Sequence, residues 1–411
     1  EQSWKTLEER AGLPRAAMER FAESYGNAKT AVIVYGTGLM QHEFAAENVR
    51  ALVNLALARG MIGREKCGIM PARGRDGAQG GSDCGAETEQ FPGAFPVNEE
   101  NARRFTNLWR HPISPLPGLT APEMIDAAHR GAIEFLYSAG GNCMESMTDG
   151  SYAAKAVERI PFRIHQAIVV DPSMLLGAGE AVLLLPAQTR YEQRGGGTTT
   201  SAERRVRFTP EIAGHQIGEA RPEWEIPALI GRRSMSNGEL LFPYADTRNI
   251  REEMARVIPM YRGIEKLARE GDQFQWGGPR LYQDGFGAMP AKRARFTALE
   301  PPDRRVPPNR FYLSARSGAA RSGAADLALR RRTRNRIFMA AEDAERLELE
   351  DGSQVAVKSH SGEFHGVIEL APVKPGNLQA YWPEAHALMP RRNGAGSGQR
   401  VYNVEVWVER I

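Results

Sequence analysis

Apolar positions in the first two thirds of the chain follow two patterns. Short, continuous apolar runs are typical of strands buried on both faces of a parallel sheet. These runs are residues 31–35, 133–137, 163–170 and 181–185. Apolar residues with helical spacing occupy residues 13–25, 43–59, 122–129, 152–159 and 250–267. The alternation of strands and helices predicts an α/β fold with doubly wound, mostly parallel sheets.

From residue 310 onward the pattern changes to strands with little helix. The predicted strands are residues 311–314, 336–339, 354–358, 363–370 and 402–410. Only residues 341–347 have helical spacing, and Gly352 and Gly362 mark turns between strands. This part of the chain therefore predicts a separate β-rich domain.

Glycine-rich turns follow two of the predicted strands, at residues 36–38 and 140–142. Ligands of open α/β sheets bind beyond the carboxyl ends of the strands. Both turns are candidate contacts for a nucleotide or a phosphate, although glycine also closes ordinary turns. A later loop, residues 186–201, contains three consecutive glycines followed by hydroxyl side chains. That composition suits a close approach to a polar ligand.

The segment 67–93 has neither helical nor strand periodicity and is rich in glycine. It also contains Arg73 and Arg75. Exposed amides and guanidinium groups suit a phosphate or a small carboxylate. A flexible surface linker would explain the same composition equally well, so the chemistry of the residues leaves both interpretations open.

Composition excludes several classes of protein. A chain of 411 residues predicts two or three domains, and a net charge of +3 does not indicate nucleic-acid binding. We find no apolar run of membrane-spanning length and no signal-peptide pattern. Three cysteines without a C-x-x-C pair fit a reducing compartment, so we expect a cytoplasmic protein. They cannot supply four cluster ligands, and the histidines show no metal-binding spacing, so no metal ligand is predicted in this chain.

An ordered series of motifs resembles the molybdopterin oxidoreductases of the dimethyl-sulfoxide-reductase superfamily, with the formate-dehydrogenase alpha-subunit-like branch as the best match. The series begins with residues 35–42, 54–63 and 73–93. It continues with residues 97–101, 140–142, 184–197, 218–225, 375–384 and 402–403. Each motif is weak alone, but the ordered set covers nearly the whole chain.

The resemblance implies that the protein binds bis-molybdopterin guanine dinucleotide with molybdenum between the pterins. Two pseudo-symmetric dinucleotide-binding α/β domains would each hold one nucleotide, and the β-rich tail would be a barrel that caps the cofactor. The corresponding boundaries are residues 1–75 and 76–300 for the two α/β domains, and residues 307–411 for the barrel.

The resemblance also implies roles for individual residues. Arg73 would stand beside molybdenum and orient a one-carbon carboxylate, although it could instead anchor a pyrophosphate. Thr37 and Gln41 would lie near one pterin. The other implied cofactor contacts are Gly74, Arg75, Gln79, Gly140, Gly141, Asn142, Gln166, Glu192, Gly196, Thr198, Glu223, Tyr402 and Asn403.

The chain departs from the family pattern in three places. The cysteines for a [4Fe-4S] cluster, the metal-ligating cysteine or selenocysteine and its neighbouring histidine lie upstream of the matched region in that family. We therefore expect a C-terminal portion of a larger subunit, inactive when isolated. Ala167 stands where the family usually has an aspartate, whose carboxylate would bind a guanine edge. Residues 316–334 also differ from the family's cofactor-binding turn.

The leading hypothesis is two-electron oxidation of a small substrate such as formate, with electrons passing to an acceptor protein or subunit. Two alternatives stay open. One is a non-catalytic protein that binds a nucleotide or pterin, and the other is the same enzyme family acting on a different substrate.

Overall fold

The computed structural model describes residues 2–72, 77–141, 147–214, 216–289, 291–302, 306–307, 309–317, 334–382, 384–391 and 401–411. The helices within these ranges are α1 Trp4–Ala11, α2 Arg15–Asn27, α3 Thr37–Met40, α4 Ala45–Ala58, α5 Ala78–Asp83, α6 Glu99–Trp109, α7 Ala121–His129, α8 Gly150–Glu158, α9 Glu225–Ser234, α10 Gly238–Leu241, α11 Thr247–Val257 and α12 Ala341–Arg346. None of them is long and apolar enough to cross a membrane.

The strands in the same ranges are β1 Val32–Tyr35, β2 Gly68–Pro71, β3 Gln90–Phe91, β4 Phe95–Pro96, β5 Phe135–Ala139, β6 Phe162–Ala167, β7 Ala181–Pro186, β8 Gly197–Thr200, β9 Arg205–Thr209, β10 Gln273–Gln275, β11 Phe311–Ser317, β12 Arg336–Met339, β13 Gln354–Lys358, β14 Glu363–Leu370, β15 Asn377–Trp382 and β16 Asn403–Arg410. Short 3-10 turns are Pro172–Leu175, Pro259–Tyr261, Ile264–Lys266 and Glu384–Leu388.

The chain divides into two compact units. The first unit combines Glu1–Ile69, Met144–Ala153 and Tyr282–Ile411. The second unit combines Met70–Cys143 and Ala154–Leu281. The division into three domains at residues 75, 300 and 307 stays a prediction.

The second unit contains a three-stranded parallel sheet in the order β5-β6-β7. Because the strands are parallel, their carboxyl ends lie at one edge. An isolated parallel bridge between Ala187 and Arg221 extends this edge beyond β7. A separate antiparallel sheet, β10-β9-β8, packs in a core that includes Phe105, Val206 and Tyr261. The α/β character predicted for this region is therefore observed, while the doubly wound, pseudo-symmetric arrangement stays a prediction.

The first unit contains a closed six-stranded barrel in the order β11-β15-β12-β14-β13-β16. The pairs β11–β15 and β12–β14 are parallel and the other pairs are antiparallel. Its interior is filled by fully buried apolar side chains, among them Leu313, Ile337, Val355 and Val406. This barrel confirms the β-rich C-terminal domain.

Two predicted elements end earlier than expected. The helix predicted at residues 250–267 ends at Val257, because Pro259 lacks the N–H that would continue it, and 3-10 turns follow. The strand predicted at residues 163–170 ends at Ala167, and residues 168–170 are exposed.

Candidate functional site

The carboxyl edge of the parallel sheet in the second unit begins with two glycines that follow β5. Gly140 and Gly141 have φ values of 67° and 70°, a region that favours glycine because it lacks a Cβ. The N–H of Gly140 donates to the carbonyl oxygen of Gln166 on the neighbouring strand at 2.8 Å. The predicted glycine turn therefore lies beside the end of β6, as the parallel topology requires.

Gln166 is almost completely buried at this edge, with 2% of its surface exposed. Its Oε1 accepts a short hydrogen bond from the hydroxyl of Tyr137, and its Nε2 donates to the carbonyl oxygen of Glu223 at 2.8 Å. Burial raises the pKa of Tyr137, which keeps its hydroxyl protonated as the donor. Both ends of the Gln166 amide thus form hydrogen bonds within the protein, and its contact with cofactor stays a prediction.

The segment around Glu223 crosses the carboxyl edge of the sheet. Its Arg221 forms the parallel bridge with Ala187, just after β7. Two residues later, the Glu223 carbonyl oxygen accepts the hydrogen bond from Gln166 on β6. Oε1 of Glu223 lies 3.8 Å from the point that a Cβ on Gly140 would occupy. Burial raises the pKa of Glu223. Within the described ranges its carboxylate forms no hydrogen bond and no ion pair.

A cleft of about 560 Å³ opens next to this segment, lined by Gln188, Glu192, Arg194, Arg221 and Glu225, among others. Gln188 has 5% of its surface exposed, and its Oε1 is buried without a hydrogen-bond partner among the described residues. Glu192 accepts hydrogen bonds at Oε2 from the N–H and hydroxyl of the preceding Thr189, at 2.8 and 2.7 Å. The cleft is polar and carries both signs of charge.

The residues around Gly196 leave no space for a side chain at this position. Its φ is 70°, and a Cβ at this position would lie 2.6 Å from Cζ of Phe208 and from the carbonyl oxygen of Thr209. The Thr247 hydroxyl donates to the Gly196 carbonyl oxygen at 2.6 Å. Arg251, 4% exposed, donates to the Thr247 hydroxyl at 3.0 Å. Packing alone therefore requires glycine here. The next predicted contact, Thr198, lies in β8 opposite Phe208.

Gln79 takes part in a buried polar cluster of the second unit. Its Nε2 donates to Oδ1 of Asp83 at 2.7 Å, and the Tyr261 hydroxyl donates to Oδ2 of Asp83 at 3.0 Å. The Thr200 hydroxyl completes the chain at 2.7 Å from Tyr261. Burial raises the pKa of Tyr261, so its hydroxyl stays a donor. This cluster fixes α5, which directly follows the arginine-containing part of the loop.

In the first unit the structure brings together three other predicted contacts. The N–H of Tyr402 donates to the carbonyl oxygen of Gln41 at 3.2 Å. Asn403, the first residue of β16, donates from Nδ2 to Oγ of Ser314 on β11 at 2.6 Å. Thr37 begins α3, in the same unit.

Four predicted site residues, Arg73, Gly74, Arg75 and Asn142, lie outside the described residues. In the part of the chain that the structure does describe, no three His, Cys, Asp or Glu side chains are grouped so that they could hold a metal ion.

The sequence interpretation missed Tyr137 and Gln188. Each is a polar residue in or directly after an apolar strand, next to its carboxyl end, and that position is the signal that could have identified them.

Comparison with protein families matches residues 11–233 to the family description "Molybdopterin oxidoreductase". The F420-dependent formate dehydrogenase subunit alpha of Methanocaldococcus jannaschii is 33% identical over 285 residues, which is 69% of this chain and 40% of that protein. The F420-dependent formate dehydrogenase 2 subunit alpha of Methanococcus maripaludis is 31% identical over 381 residues, 87% of this chain and 54% of that protein. The chain thus spans about half the length of these relatives, or less.

Among solved structures, acetylene hydratase from Pelobacter acetylenicus shares the fold with a TM-score of 0.64 at 12% identity. The match covers 97% of this chain and 63% of that one.

Proposed function

Because this chain belongs to the molybdopterin oxidoreductase family, we propose that it is the C-terminal, cofactor-binding part of a molybdenum-dependent, formate dehydrogenase-like enzyme. The observation that carries the proposal is the carboxyl edge of β5-β6-β7, where Gly140, Gly141 and Glu223 meet. Its topology is that of a nucleotide site in an open α/β sheet.

The residues present fit one half of a bis-molybdopterin guanine dinucleotide. Gly140 and Gly141 leave the edge free of side chains, which suits the close approach of a nucleotide. Glu223 offers a carboxylate, and Gln188 offers a buried amide oxygen without a partner among the described residues. We also propose Gln41, Tyr402 and Asn403 of the first unit as cofactor contacts. The molybdenum centre, when bound, supplies two-electron redox chemistry.

We propose formate as the substrate, supported by the relatives whose names include formate dehydrogenase. Arg73 binds the formate carboxylate through its guanidinium group and offsets the charge that develops during oxidation. A [4Fe-4S] cluster in the rest of the complete enzyme would supply the route for electrons to an acceptor protein or subunit. We place the enzyme in the cytoplasm because its few cysteines suit a reducing compartment.

The cofactor test uses the complete enzyme that contains this chain, produced in a host that makes the cofactor. Molybdenum is measured by mass spectrometry, and guanine and pterin are quantified after acid release. We expect two guanines and two pterins for each molybdenum. Protein without molybdenum and pterin would overturn the proposal, and guanine without either would favour a nucleotide-binding protein.

The substrate test uses an Arg73→Ala variant of the same enzyme, with Arg73→Lys as the charge-retaining control. Formate turnover should collapse in the alanine variant while molybdenum and guanine contents stay unchanged. If cofactor content and turnover fall together, Arg73 is a cofactor anchor. If turnover persists at full cofactor content, the substrate role of Arg73 is wrong.

A further inference from the structure

We infer that Glu223 recognises the guanine base of the bound dinucleotide, in place of the carboxylate that this chain lacks at Ala167. The inference rests on the proposed function and deepens it, because it assigns base specificity to one side chain.

The first observation is the position of Glu223. Ala167 is the last residue of β6 and cannot accept a hydrogen bond through its methyl group. Glu223 is held beside that strand end by the hydrogen bond from Gln166, the residue before Ala167. The 3.8 Å approach of its Oε1 to the Cβ point of Gly140 puts the carboxylate over the glycine turn. The Glu223 carboxylate therefore lies at the same edge of the sheet as position 167, although it comes from a different segment of the chain.

The second observation is that this carboxylate has no partner in the described part of the chain. Its surface is of intermediate exposure, and burial raises the pKa of its carboxyl group. Desolvating a carboxylate is unfavourable unless donors reach it. The Glu223 carboxylate, at the ligand-binding edge of a parallel sheet, is therefore suited to accept hydrogen bonds from a ligand.

Two of the neighbouring carboxylates do not share this property. Glu225 forms ion pairs with Arg194 at 3.4 Å and with Arg221 at 3.3 Å. Glu192 accepts two hydrogen bonds from Thr189 at one carboxylate oxygen. Glu223 is thus distinguished within this group by having both carboxylate oxygens available.

The Tyr137–Gln166 pair explains how Glu223 is held in position. Tyr137 donates to the Gln166 amide oxygen, so the amide nitrogen must face the Glu223 carbonyl oxygen. That arrangement fixes the backbone from which the carboxylate projects. Tyr137 and Gln166 are positioning residues, and Glu223 is the residue that touches the base.

The chemistry of the bases makes a carboxylate selective for guanine. Guanine presents two adjacent donors on its Watson–Crick edge, the N1–H and the N2 amino group, and a carboxylate can accept from both. Adenine offers one donor beside an acceptor, which a carboxylate repels. Hypoxanthine keeps the N1–H but lacks the amino group, so it forms one of the two hydrogen bonds.

The test measures equilibrium binding of GDP, IDP and ADP to the full chain by calorimetry at pH 8. We expect GDP to bind at least about tenfold more tightly than IDP or ADP, as the loss of one hydrogen bond to a charged group predicts. Glu223→Gln should reduce the GDP preference to about twofold or less. The control is Glu180→Gln, which changes an exposed carboxylate at the opposite, amino end of β7 and should leave the preference intact.

A second variant tests whether positions 167 and 223 serve the same base. Adding Ala167→Asp to Glu223→Gln restores the carboxylate of the family pattern and should recover the GDP preference. If the double variant does not recover the GDP preference, positions 167 and 223 do not face the same base. The inference that Glu223 takes the place of a carboxylate at position 167 is then wrong. Circular dichroism of each variant verifies folding.

Preference for GDP that survives in Glu223→Gln overturns the inference and leaves the proposed function standing. Absence of GDP binding to the unaltered chain also overturns it, while the molybdenum and pterin contents of the complete enzyme decide the proposed function separately.

Discussion

The main-chain N–H of Tyr402 donates to the carbonyl oxygen of Gln41 across 3.2 Å. Tyr402 directly precedes β16, and Gln41 directly follows α3, so one hydrogen bond joins the end of the barrel to an early part of the chain. Both residues belong to the first unit. The resemblance implied cofactor roles for both, and the structure brings their backbones into contact.

Val406 lies inside the barrel on β16 and is fully buried. Val406→Asp would bury a charge among apolar side chains, and we expect a loss of about 4 kcal/mol or more of unfolding free energy. Urea denaturation measures it. The neighbouring Glu405→Gln is the control, because Glu405 is exposed and pairs with Arg310 at 3.7 Å, so its loss should cost less than about 1 kcal/mol. Equal losses of unfolding free energy in the two variants would contradict the placement of Val406 inside the barrel and Glu405 outside it.

Gly196→Ala should destabilise the second unit more than an equivalent change at Gly214. Both glycines have positive φ, but a Cβ meets Phe208 and Thr209 at 2.6 Å in the first case and nothing within 4 Å in the second. We expect about 3 kcal/mol for Gly196→Ala and about 1 kcal/mol for Gly214→Ala, measured by urea denaturation. Equal effects would mean that backbone conformation alone requires Gly196.

Thr247→Val removes the hydroxyl that donates to the Gly196 carbonyl oxygen. We expect a loss of about 1–3 kcal/mol, because the buried carbonyl loses its donor. Thr247→Ser keeps the hydroxyl and should cost less than about 1 kcal/mol. Thermal unfolding of the three proteins measures the difference. A valine variant as stable as the unaltered protein would contradict the role of the Thr247 hydroxyl.

Burial raises the pKa of the Cys84 thiol from 9.0 to about 11, with Asp83 contributing in the same direction. Because the thiolate is the reactive form, its fraction at pH 8 is roughly a hundredfold lower than for a thiol with a pKa of 9.0. Alkylation by iodoacetamide, followed by mass spectrometry of the Cys84 peptide, should therefore be at least that much slower in native than in unfolded protein. The rate should rise about tenfold per pH unit. Similar native and unfolded rates at pH 8 would refute the prediction.

Burial lowers the pKa of His165 below 6.5, reinforced by Arg163 and opposed by Asp171. Because the pKa of His165 is lower in the folded state, the unfolded chain binds the proton more readily. The contribution of His165 to the unfolding free energy is therefore fully present above pH 6.5 and decreases as the pH falls. We expect His165 to contribute a slope of at most about 1.4 kcal/mol per pH unit below that point. Urea unfolding at pH 7.5 and 5.5 measures it. His165→Gln should show a smaller decrease than the unaltered protein, and an equal decrease would assign it to other groups.

The barrel was the most predictable part of the fold. The strands predicted at residues 354–358 and 363–370 coincide with β13 and β14. Their starts were predictable because a turn glycine, Gly352 or Gly362, lies just before each strand. Strand pairing was not predictable. The parallel pairing of β11 with β15, for example, joins segments far apart in sequence, and no local pattern encodes it.

Gly140 and Gly141 were correctly expected to follow a strand of a parallel sheet. The functions of the residues around it were harder to infer. Gln166 was expected to contact cofactor, and this stays a prediction; in the structure its amide binds Tyr137 and Glu223. Such pairings depend on which strands become neighbours, so a single sequence cannot distinguish a ligand contact from a residue that positions one.

The barrel also implies an order of assembly during synthesis. β16, the last barrel strand in chain order, pairs with both β11 and β13 and closes the ring. The second unit is complete at Leu281, before any barrel strand has left the ribosome. The barrel can therefore close only after β16 has been synthesised, whereas all three strands of the β5-β6-β7 sheet have been synthesised well before that point.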